Sequence, residues 1–234
     1  MPTKSPLESS NRILSRLSTV DLALVTPHLK RVDLPLRKQL EVRNKPIDYI
    51  YFMESGFASV VANGAGRTIE VGLIGREGMT GLAVVMGADR TTSDTFIQSA
   101  GTGSRIEADQ LRRALEQSRT FQAACLLYAQ AFMTQMTYTA ISNGRSKIEE
   151  RLARWILMAS DRVGSDEMAL THEFLSMMLG VRRSGVTVAL HLLVQAGLIK
   201  AQRGIITVLN RDALKEISNG AYGVPEAEFR RLFG

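Results

Sequence analysis

The stretch that decides the fold lies in the last third of the chain, where residues 171–209 read THEFLSMMLGVRRSGVTVALHLLVQAGLIKAQRGIITVL. Thr171 is a helix-capping residue type, and the apolar spacing after it predicts a helix that ends at Gly180. A second helix is predicted over about Arg183–Ala196, with Gly197 as its C-terminal stop. Two helices joined by a short turn that contains Gly are typical of a helix-turn-helix.

The second predicted helix has two different faces. At about 100° per residue, four apolar side chains fall within an arc of about 100° and would pack on the first helix; they are Val186, Ala189, Leu190 and Leu193. The opposite arc is polar and holds Arg183, Ser184, Thr187, His191 and Gln195. Such a helix buries one face and presents the other to a partner.

A β-hairpin is predicted directly behind this helix. Two β-prone runs, Leu198–Gln202 and Ile205–Leu209, flank the two-residue turn Arg203-Gly204. From Phe174 to Arg211 the sequence contains no Asp or Glu, although five of its residues are Lys or Arg. A hairpin in this position would form the wing of a winged helix-turn-helix, and the local charge favours a polyanionic partner.

These features together predict a DNA-binding surface. When a helix-turn-helix binds DNA, the first turns of its second helix contact base edges in the major groove, and later residues of that helix approach the phosphates. Arg183 is the best candidate for a bidentate contact to guanine. The full set of candidate DNA-binding residues is Arg182, Arg183, Ser184, Thr187, His191, Lys200 and Arg203. A solvated surface role stays open for His191 and for Arg203.

The first half of the chain, up to about Arg119, shows many short β-prone runs separated by turn signals. Examples are Tyr49-Ile50-Tyr51-Phe52 and Ala58-Ser59-Val60-Val61, while Gly101 to Gly103 reads as a turn. A short helical opening precedes these runs, with Thr19 or Asp21 as its cap. The pattern predicts an α+β protein that begins with an antiparallel β-roll. A structural β-domain without any ligand is the alternative.

A long helix is predicted from about Arg119 to Ser142, because its apolar side chains follow helical spacing without an internal Gly or Pro. Asn143-Gly144 would break it, and another amphipathic helix would then run from Ser146 to near Gly164. We expect the long helix to contact a second subunit through Phe121, Cys125, Tyr128, Phe132 and Met136. A central helix inside a monomer is the alternative.

The composition excludes several classes of protein. The chain has 234 residues, a formal net charge of +6, a pI near 9.7 and a single cysteine, Cys125. One thiol cannot form a disulfide within the chain, a thiolate zinc finger or a cysteine-bound iron–sulfur cluster. The sequence has no long uncharged apolar stretch and no apolar segment typical of a secretory signal at its start, so we expect a cytoplasmic protein.

The order of these parts resembles the Crp/Fnr family of bacterial transcription regulators. Four segments carry the resemblance: Tyr49–Gly56 (YIYFMESG), Glu70–Gly78 (EVGLIGREG), Leu179–Thr187 (LGVRRSGVT) and the hairpin after Leu198-Ile199. The resemblance implies a sensor domain at 1–118, a dimerisation helix at 119–145 and a winged helix-turn-helix at 146–234. It also implies a homodimer on an inverted-repeat DNA site, with RNA polymerase as a further candidate partner.

The chain departs from the family pattern in its ligand pocket. Cyclic-nucleotide-binding members carry a Gly-Glu pair for the ribose and an Arg-Ser pair for the phosphate. Here Gly81 is followed by Leu82, and Thr92 precedes Ser93. A phosphate without its arginine and a ribose without its acceptor would bind poorly, so cyclic nucleotide binding is disfavoured. We expect no cofactor. His28 lies in a helix that is predicted to be at the surface, so it is a poor candidate for a haem ligand. The effector is not identified.

An enzyme is not expected, because the sequence lacks the motifs of the common catalytic and nucleotide-binding sites, including G-x-S-x-G, H-E-x-x-H and the phosphate-binding glycine loops. The three histidines, at 28, 172 and 191, have no metal-binding spacing. The alternative function is a ligand-binding regulatory module that acts through a protein partner rather than DNA. The predicted winged helix-turn-helix argues against this alternative.

Overall fold

The computed structural model describes residues 9–64 and 67–234. The chain divides into two compact units. The described part of the first unit consists of residues 9–60 and 74–130, and that of the second unit consists of residues 61–64, 67–73 and 131–234.

The first part of the chain is built mainly from β-strands. They are β1 (Lys30–Leu34), β2 (Gln39–Glu41), β3 (Tyr49–Met53), β4 (Phe57–Gly64), β5 (Arg67–Ile74), β6 (Asp94–Ser99) and β7 (Gly101–Glu107). One sheet has the order β1-β7-β3 and the other has the order β2-β6-β4-β5. β7 pairs antiparallel with β1 and β3, and β2 pairs antiparallel with β6. The predicted α+β class with an N-terminal antiparallel roll is confirmed.

Strand β7 corrects the prediction of a turn at Gly101 to Gly103. Both glycines lie within the strand, opposite residues of β1. A Cβ atom at Gly101 would come within 2.1 Å of the Ser55 carbonyl oxygen, and one at Gly103 within 2.6 Å of the Phe52 carbonyl oxygen. These glycines therefore allow close backbone approach in a paired strand, which is a second common reason for Gly in β-structure.

The helices of this part are α1 (Thr19–Val25), α2 (Leu82–Val85), α3 (Ala108–Gln117) and α4 (Arg119–Arg145). Ser18, rather than Thr19 or Asp21, caps α1, because its side chain accepts a hydrogen bond from the Asp21 backbone N–H. The Asp21 carboxylate in turn accepts hydrogen bonds from the hydroxyls of Ser118 and Thr120. These hydroxyls lower the pKa of Asp21 and tie α1 to the start of α4.

Helix α4 passes through Asn143-Gly144, where a break was predicted. The Ser146 backbone N–H still donates to the Ser142 carbonyl at 2.9 Å, so the hydrogen-bond ladder continues across both residues. Gly in a helix costs only about 1 kcal/mol relative to Ala. That cost is small enough for the regular bonds of a long helix to outweigh it.

The second unit contains the helices and strands of the winged helix-turn-helix. They are α5 (Ile148–Val163), β8 (Glu167–Ala169), α6 (His172–Leu179), α7 (Arg183–Gln195), β9 (Ile199–Gln202), β10 (Ile205–Val208), α8 (Arg211–Ile217) and α9 (Val224–Phe233). β10 pairs antiparallel with both β8 and β9. Strand β8 was not predicted, and it extends the expected hairpin to a three-stranded sheet.

Helix α5 ends where predicted and buries the predicted face, but it begins at Ile148, two residues after the predicted start at Ser146. Gly164 ends it in a left-handed conformation with φ of 71°, and Leu152, Trp155 and Ile156 are buried. Among the described residues, no single helix is long and apolar enough to cross a membrane. Helices α6 and α7 reach that length and apolarity only together, and they are bent by 106° relative to each other.

Candidate nucleic-acid interface

The helix-turn-helix forms from local signals at each of its ends. The Thr171 hydroxyl accepts a hydrogen bond from the Phe174 backbone N–H at 3.2 Å and caps α6. Gly180 adopts φ of 63° directly after α6, a left-handed conformation that Gly enters without steric cost. The resulting angle of 106° between α6 and α7 lies in the range typical of this motif.

Helix α7 buries the apolar face that its spacing predicted. Val186, Ala189, Leu190 and Leu193 are all buried. Gly185 lies on the side of α5, where an added Cβ would stand 3.0 Å from the Ile148 Cδ1 atom. A residue that weakens the helix in isolation therefore lets α7 approach α5 closely. The buried face fixes the direction in which the rest of the helix points.

The opposite face of α7 is open to solvent. Arg183, Ser184 and His191 are exposed, as is Arg182 at the N-cap position. Thr187 is only half-buried, and its hydroxyl donates to the Arg183 carbonyl oxygen at 3.1 Å. The same hydroxyl lies 3.1 Å from the His172 Nδ1 atom, a contact that the sequence did not predict. The Thr187 hydroxyl is thus already engaged within the domain.

The wing, formed by β9, β10 and the turn between them, has the predicted turn at Arg203-Gly204. Arg203 and Gly204 have φ values of 51° and 78°, so both central residues of the two-residue turn are left-handed, as in a type I′ turn. Arg203 is exposed at this turn, and Lys200 is exposed on β9. The register pairs Ile205 with Gln202 across the turn. Together with the exposed residues of α7, these two cations mean that every predicted DNA-binding residue except Thr187 is exposed.

Helix α5 holds the motif in place from behind. The Trp155 ring packs edge to face on Phe174 of α6, with 5.5 Å between ring centroids. The Arg151 guanidinium donates to the Leu179 carbonyl, which is one of the terminal carbonyls that α6 leaves without a helical partner. These contacts fix α6, and with it the start of α7, against α5.

Two buried polar contacts anchor α5 itself. The Trp155 Nε1 atom donates to the Glu70 Oε1 atom at 2.6 Å, and the Arg154 Nε atom donates to the Ala221 carbonyl at 2.9 Å. Burial lowers the pKa of Arg154 to about 10, and the carboxylates of Glu226 and Glu70 act in the opposite direction. Because a buried polar group without a partner is costly, such contacts restrict α5 to one position.

The residues predicted to line the ligand pocket lie around the start of α2. Gly81 has φ of 77°, and a Cβ atom there would stand 2.3 Å from the Ile50 Cγ1 atom. Leu82 and Ser93 are half-buried, and Thr92 is exposed. Ser93 donates its backbone N–H to the Thr91 hydroxyl at 3.2 Å.

A buried carboxylate that the sequence did not single out sits beside Gly81. The Glu41 Oε1 atom accepts from the Gly81 backbone N–H at 2.8 Å, and its Oε2 atom accepts from the Thr95 hydroxyl at 2.5 Å. Burial raises the pKa of Glu41, against the opposing effect of these two hydrogen bonds. Both carboxylate oxygens are therefore engaged inside the roll.

The residues predicted for the subunit contact divide between two sides of α4. Phe121, Cys125, Tyr128 and Phe132 are buried within the single chain, and Met136 is partly exposed. Burial raises the pKa of the Cys125 thiol to about 12, which disfavours the reactive thiolate. Of the predicted residues only Met136 is therefore exposed, and the other large apolar residues exposed on α4 are Leu126, Leu127, Met133 and Ile141.

The titratable residues give no sign of a metal centre in the described part of the chain. Among residues 9–64 and 67–234, no three His, Cys, Asp or Glu side chains come close enough to hold a metal ion. His28 ends a short 3₁₀ turn and is exposed.

Comparison with known protein families identifies the C-terminal region. Residues 150–217, which run from the first turn of α5 to the end of α8, match the Crp-like helix-turn-helix domain. None of the curated protein sequences matches this chain.

Solved structures resemble the chain over most of its length. A protein from Eubacterium rectale, described as a transcriptional regulator of the Crp/Fnr family, is 19% identical with a TM-score of 0.67, over 89% of this chain and 98% of that one. FixK2 from Bradyrhizobium japonicum is 17% identical with a TM-score of 0.69, over 81% of this chain and 96% of its own.

The c-di-GMP responsive global regulator CLP of Xanthomonas campestris is 16% identical, with a TM-score of 0.66. The match covers 82% of this chain and 99% of CLP. At these identities the likeness establishes a shared fold, and the domain match adds the family of the DNA-binding region. Residues 150–217 therefore contain a Crp-like helix-turn-helix domain. The chain as a whole shares its fold with these solved structures, one of which is described as a regulator of the Crp/Fnr family.

Proposed function

We propose that the protein binds an inverted-repeat DNA site as a homodimer and inserts one copy of α7 into the major groove of each half-site. The observation that carries this proposal is that only one face of α7 is buried. Its apolar face is buried, while Arg183, Ser184 and His191 are exposed together on the other side. A helix held in this way offers its outer face to a groove that accepts an α-helix.

Arg183 is the residue proposed to read a base. It is the first residue of α7 and is exposed, and its planar guanidinium matches the two acceptors on the major-groove edge of guanine. His191 lies about 12 Å further along the helix axis, where contact with the backbone is expected. Arg182, Lys200 and Arg203 are proposed to contact phosphates, because they flank the helix in a stretch without acidic residues.

The homodimer is proposed to form along one edge of α4. Leu126, Met133 and Ala140 alternate with Ala123, Gln130, Thr137 and Gly144 at intervals of three and four residues, and all of them are exposed. This spacing is the heptad repeat by which two helices wind around each other. Two copies of α4 packed along it give the two-fold axis that an inverted-repeat site requires.

We further propose that the β-roll does not bind cyclic nucleotide. Leu82 and Thr92 replace the residues that would accept the ribose and pair with the phosphate. The Glu41 carboxylate already occupies the Gly81 backbone N–H.

Selection from a random-sequence duplex pool with the full-length protein tests the DNA-binding proposal. We expect enrichment of an inverted repeat that contains a guanine in each half, and binding that weakens steeply as salt is raised from 50 to about 200 mM. Absence of both enrichment and salt-dependent binding would contradict the proposal and would favour a module that acts through a protein partner.

Arg203→Ala is expected to weaken binding to every DNA sequence by a similar factor. Removal of one phosphate contact per protomer should reduce the slope of log K against log salt by about one for each phosphate that the protein no longer neutralises. Fluorescence anisotropy on the selected site and on an unrelated duplex, at several salt concentrations, measures both effects. Weakening confined to the selected site would show instead that Arg203 reads bases.

Glu41→Gln is expected to change how stability depends on pH. Since burial raises the pKa of Glu41, the folded state holds this proton more tightly than the unfolded state. The free energy of unfolding that it contributes is therefore full below the ordinary pKa of Glu, about 4.3, and falls as pH rises through the higher folded value. Gln stays neutral, so the difference between variant and wild type should grow as pH rises.

Urea denaturation of both proteins at a series of pH values from about 4.5 to 8 measures this difference. Thr95→Val serves as the matched control, because it removes a hydrogen-bond partner of Glu41 and leaves the carboxylate in place. A difference between Glu41→Gln and wild type that does not change with pH would show that Glu41 ionises with its ordinary pKa.

A further inference from the structure

An apolar side chain lies near the centre of the outward face of α7. Val188 is 61% exposed and lies between the polar residues Ser184 and His191 along this face. At about 100° per residue, the buried residues of α7 centre near 290° from Arg183, so the outward direction lies near 110°. Ser184, Val188 and His191 then fall at about 100°, 140° and 80°. Val188 therefore points outward almost as directly as Ser184.

The position of Val188 along the helix places it within reach of base edges. It lies about 7.5 Å beyond Arg183 along the axis, at a rise of 1.5 Å per residue. This distance corresponds to about two base pairs at 3.4 Å each. Leu192, the next exposed apolar residue on this face, lies about 13.5 Å beyond Arg183 and is 45% exposed.

The chemistry of the groove limits what Val188 can contact. In the major groove the base edges present hydrogen-bond donors, acceptors and one apolar group, the C5-methyl group of thymine. Valine offers no donor or acceptor, so opposite any other edge it would leave a base atom without its water. The Thr187 hydroxyl, one residue earlier, is already bonded to the Arg183 carbonyl and to His172, so it adds no free polar group beside Val188.

We propose that Val188 is a specificity-determining residue that selects a thymine about two base pairs from the guanine read by Arg183, through contact with the thymine C5-methyl group. The proposal rests on the proposed insertion of α7 into the major groove. The charge of the chain segment that contains Val188 favours a DNA occupant over an apolar protein surface. Arg182, Arg183 and Lys200 are exposed in a stretch of sequence from Phe174 to Arg211 that lacks Asp and Glu.

Substitution of uracil for thymine in the selected operator tests the proposal, because it removes only this methyl group. The full-length protein is titrated by fluorescence anisotropy against operators in which each thymine is replaced in turn, symmetrically in both halves. One symmetric replacement is expected to weaken binding about fourfold per half-site, or about 15-fold for both, the equivalent of removing one methyl group from an apolar environment.

Val188→Ala should bind the thymine and uracil operators with equal affinity, which completes a double-mutant cycle between protein and base. Leu192→Ala is the matched control on the same face, and it should retain the full preference for thymine. A uracil scan of the wild-type protein without any sensitive position would overturn the proposal, as would a sensitivity that persists in Val188→Ala. Failure to select any operator would instead overturn the proposed function, and this inference with it.

Discussion

Arg183→Ala is expected to cost about 1–3 kcal/mol of binding free energy in each half-site. For a homodimer on a symmetric operator the total is about 2–6 kcal/mol, so the Kd should rise at least about thirtyfold. The physical reason is the loss of two parallel hydrogen bonds to guanine, which leaves both guanine acceptors without a partner in a partly dehydrated groove. Arg183 is exposed in the free protein, so its removal should not lower stability.

Arg183→Lys separates the shape of the guanidinium from its charge. Lysine keeps the positive charge but cannot form the planar fork. We therefore expect the lysine variant to lose preference for the guanine in each half-site while it keeps the salt dependence of the wild type. Titration of both variants against the operator, and against an operator with that guanine replaced by adenine, measures the change. Unchanged affinity and base preference in Arg183→Ala would contradict the assignment of this residue.

The double variant Leu126→Glu/Met133→Glu is expected to prevent dimer formation and to weaken operator binding at least about 100-fold. Leu126 and Met133 are 44% and 49% exposed in the single chain and stand seven residues apart on α4. In the proposed dimer each would face its own copy, so the variant places like charges opposite each other in an apolar contact. In a dimer, binding of one half-site holds the second copy of α7 at a high effective concentration near the other half-site, and a monomer loses this gain.

Sedimentation equilibrium of the free protein measures the first effect, and anisotropy on the operator measures the second. The matched partner is Leu126→Lys/Met133→Lys, which should also be monomeric alone. An equal mixture of the two variants should form a heterodimer and recover operator binding, because the charges then complement each other. A glutamate variant that remains dimeric would place the two-fold contact on another surface.

The sequence was sufficient for the helix-turn-helix because its boundaries are set by local signals. Thr171, Gly180 and Gly197 act within a few residues of their own position, and the Arg203-Gly204 turn needs only two left-handed residues. The apolar arc of α7 likewise depends on helical spacing alone. Such features can be predicted without knowledge of the rest of the fold.

Features that depend on distant parts of the chain could not be predicted in this way. Strand β8 has three residues and forms only because β10 is available to pair with it. Glu41 is buried by residues forty or more positions away, and no local pattern marks a carboxylate for burial. The contact between His172 and Thr187 depends on the angle between α6 and α7.

The subunit contact on α4 is an intermediate case. Apolar residues cover most of the circumference of this helix, so spacing alone did not separate the side buried within the chain from the side left for a second copy. Burial in the structure makes the separation, with Phe121 and Tyr128 on the inner side and Leu126 and Met133 on the outer side. The heptad spacing of the exposed residues was present in the sequence as a usable signal.

Dimethyl sulfate footprinting on the selected operator tests the central claim most directly, because the reagent methylates guanine N7 in the major groove and adenine N3 in the minor groove. We predict protection of one guanine N7 in each half-site, with the two protected regions centred about 10–10.5 base pairs apart, and loss of that protection in Arg183→Ala. Protection limited to adenine N3, or a single protected region, would contradict the insertion of two copies of α7 into successive major grooves.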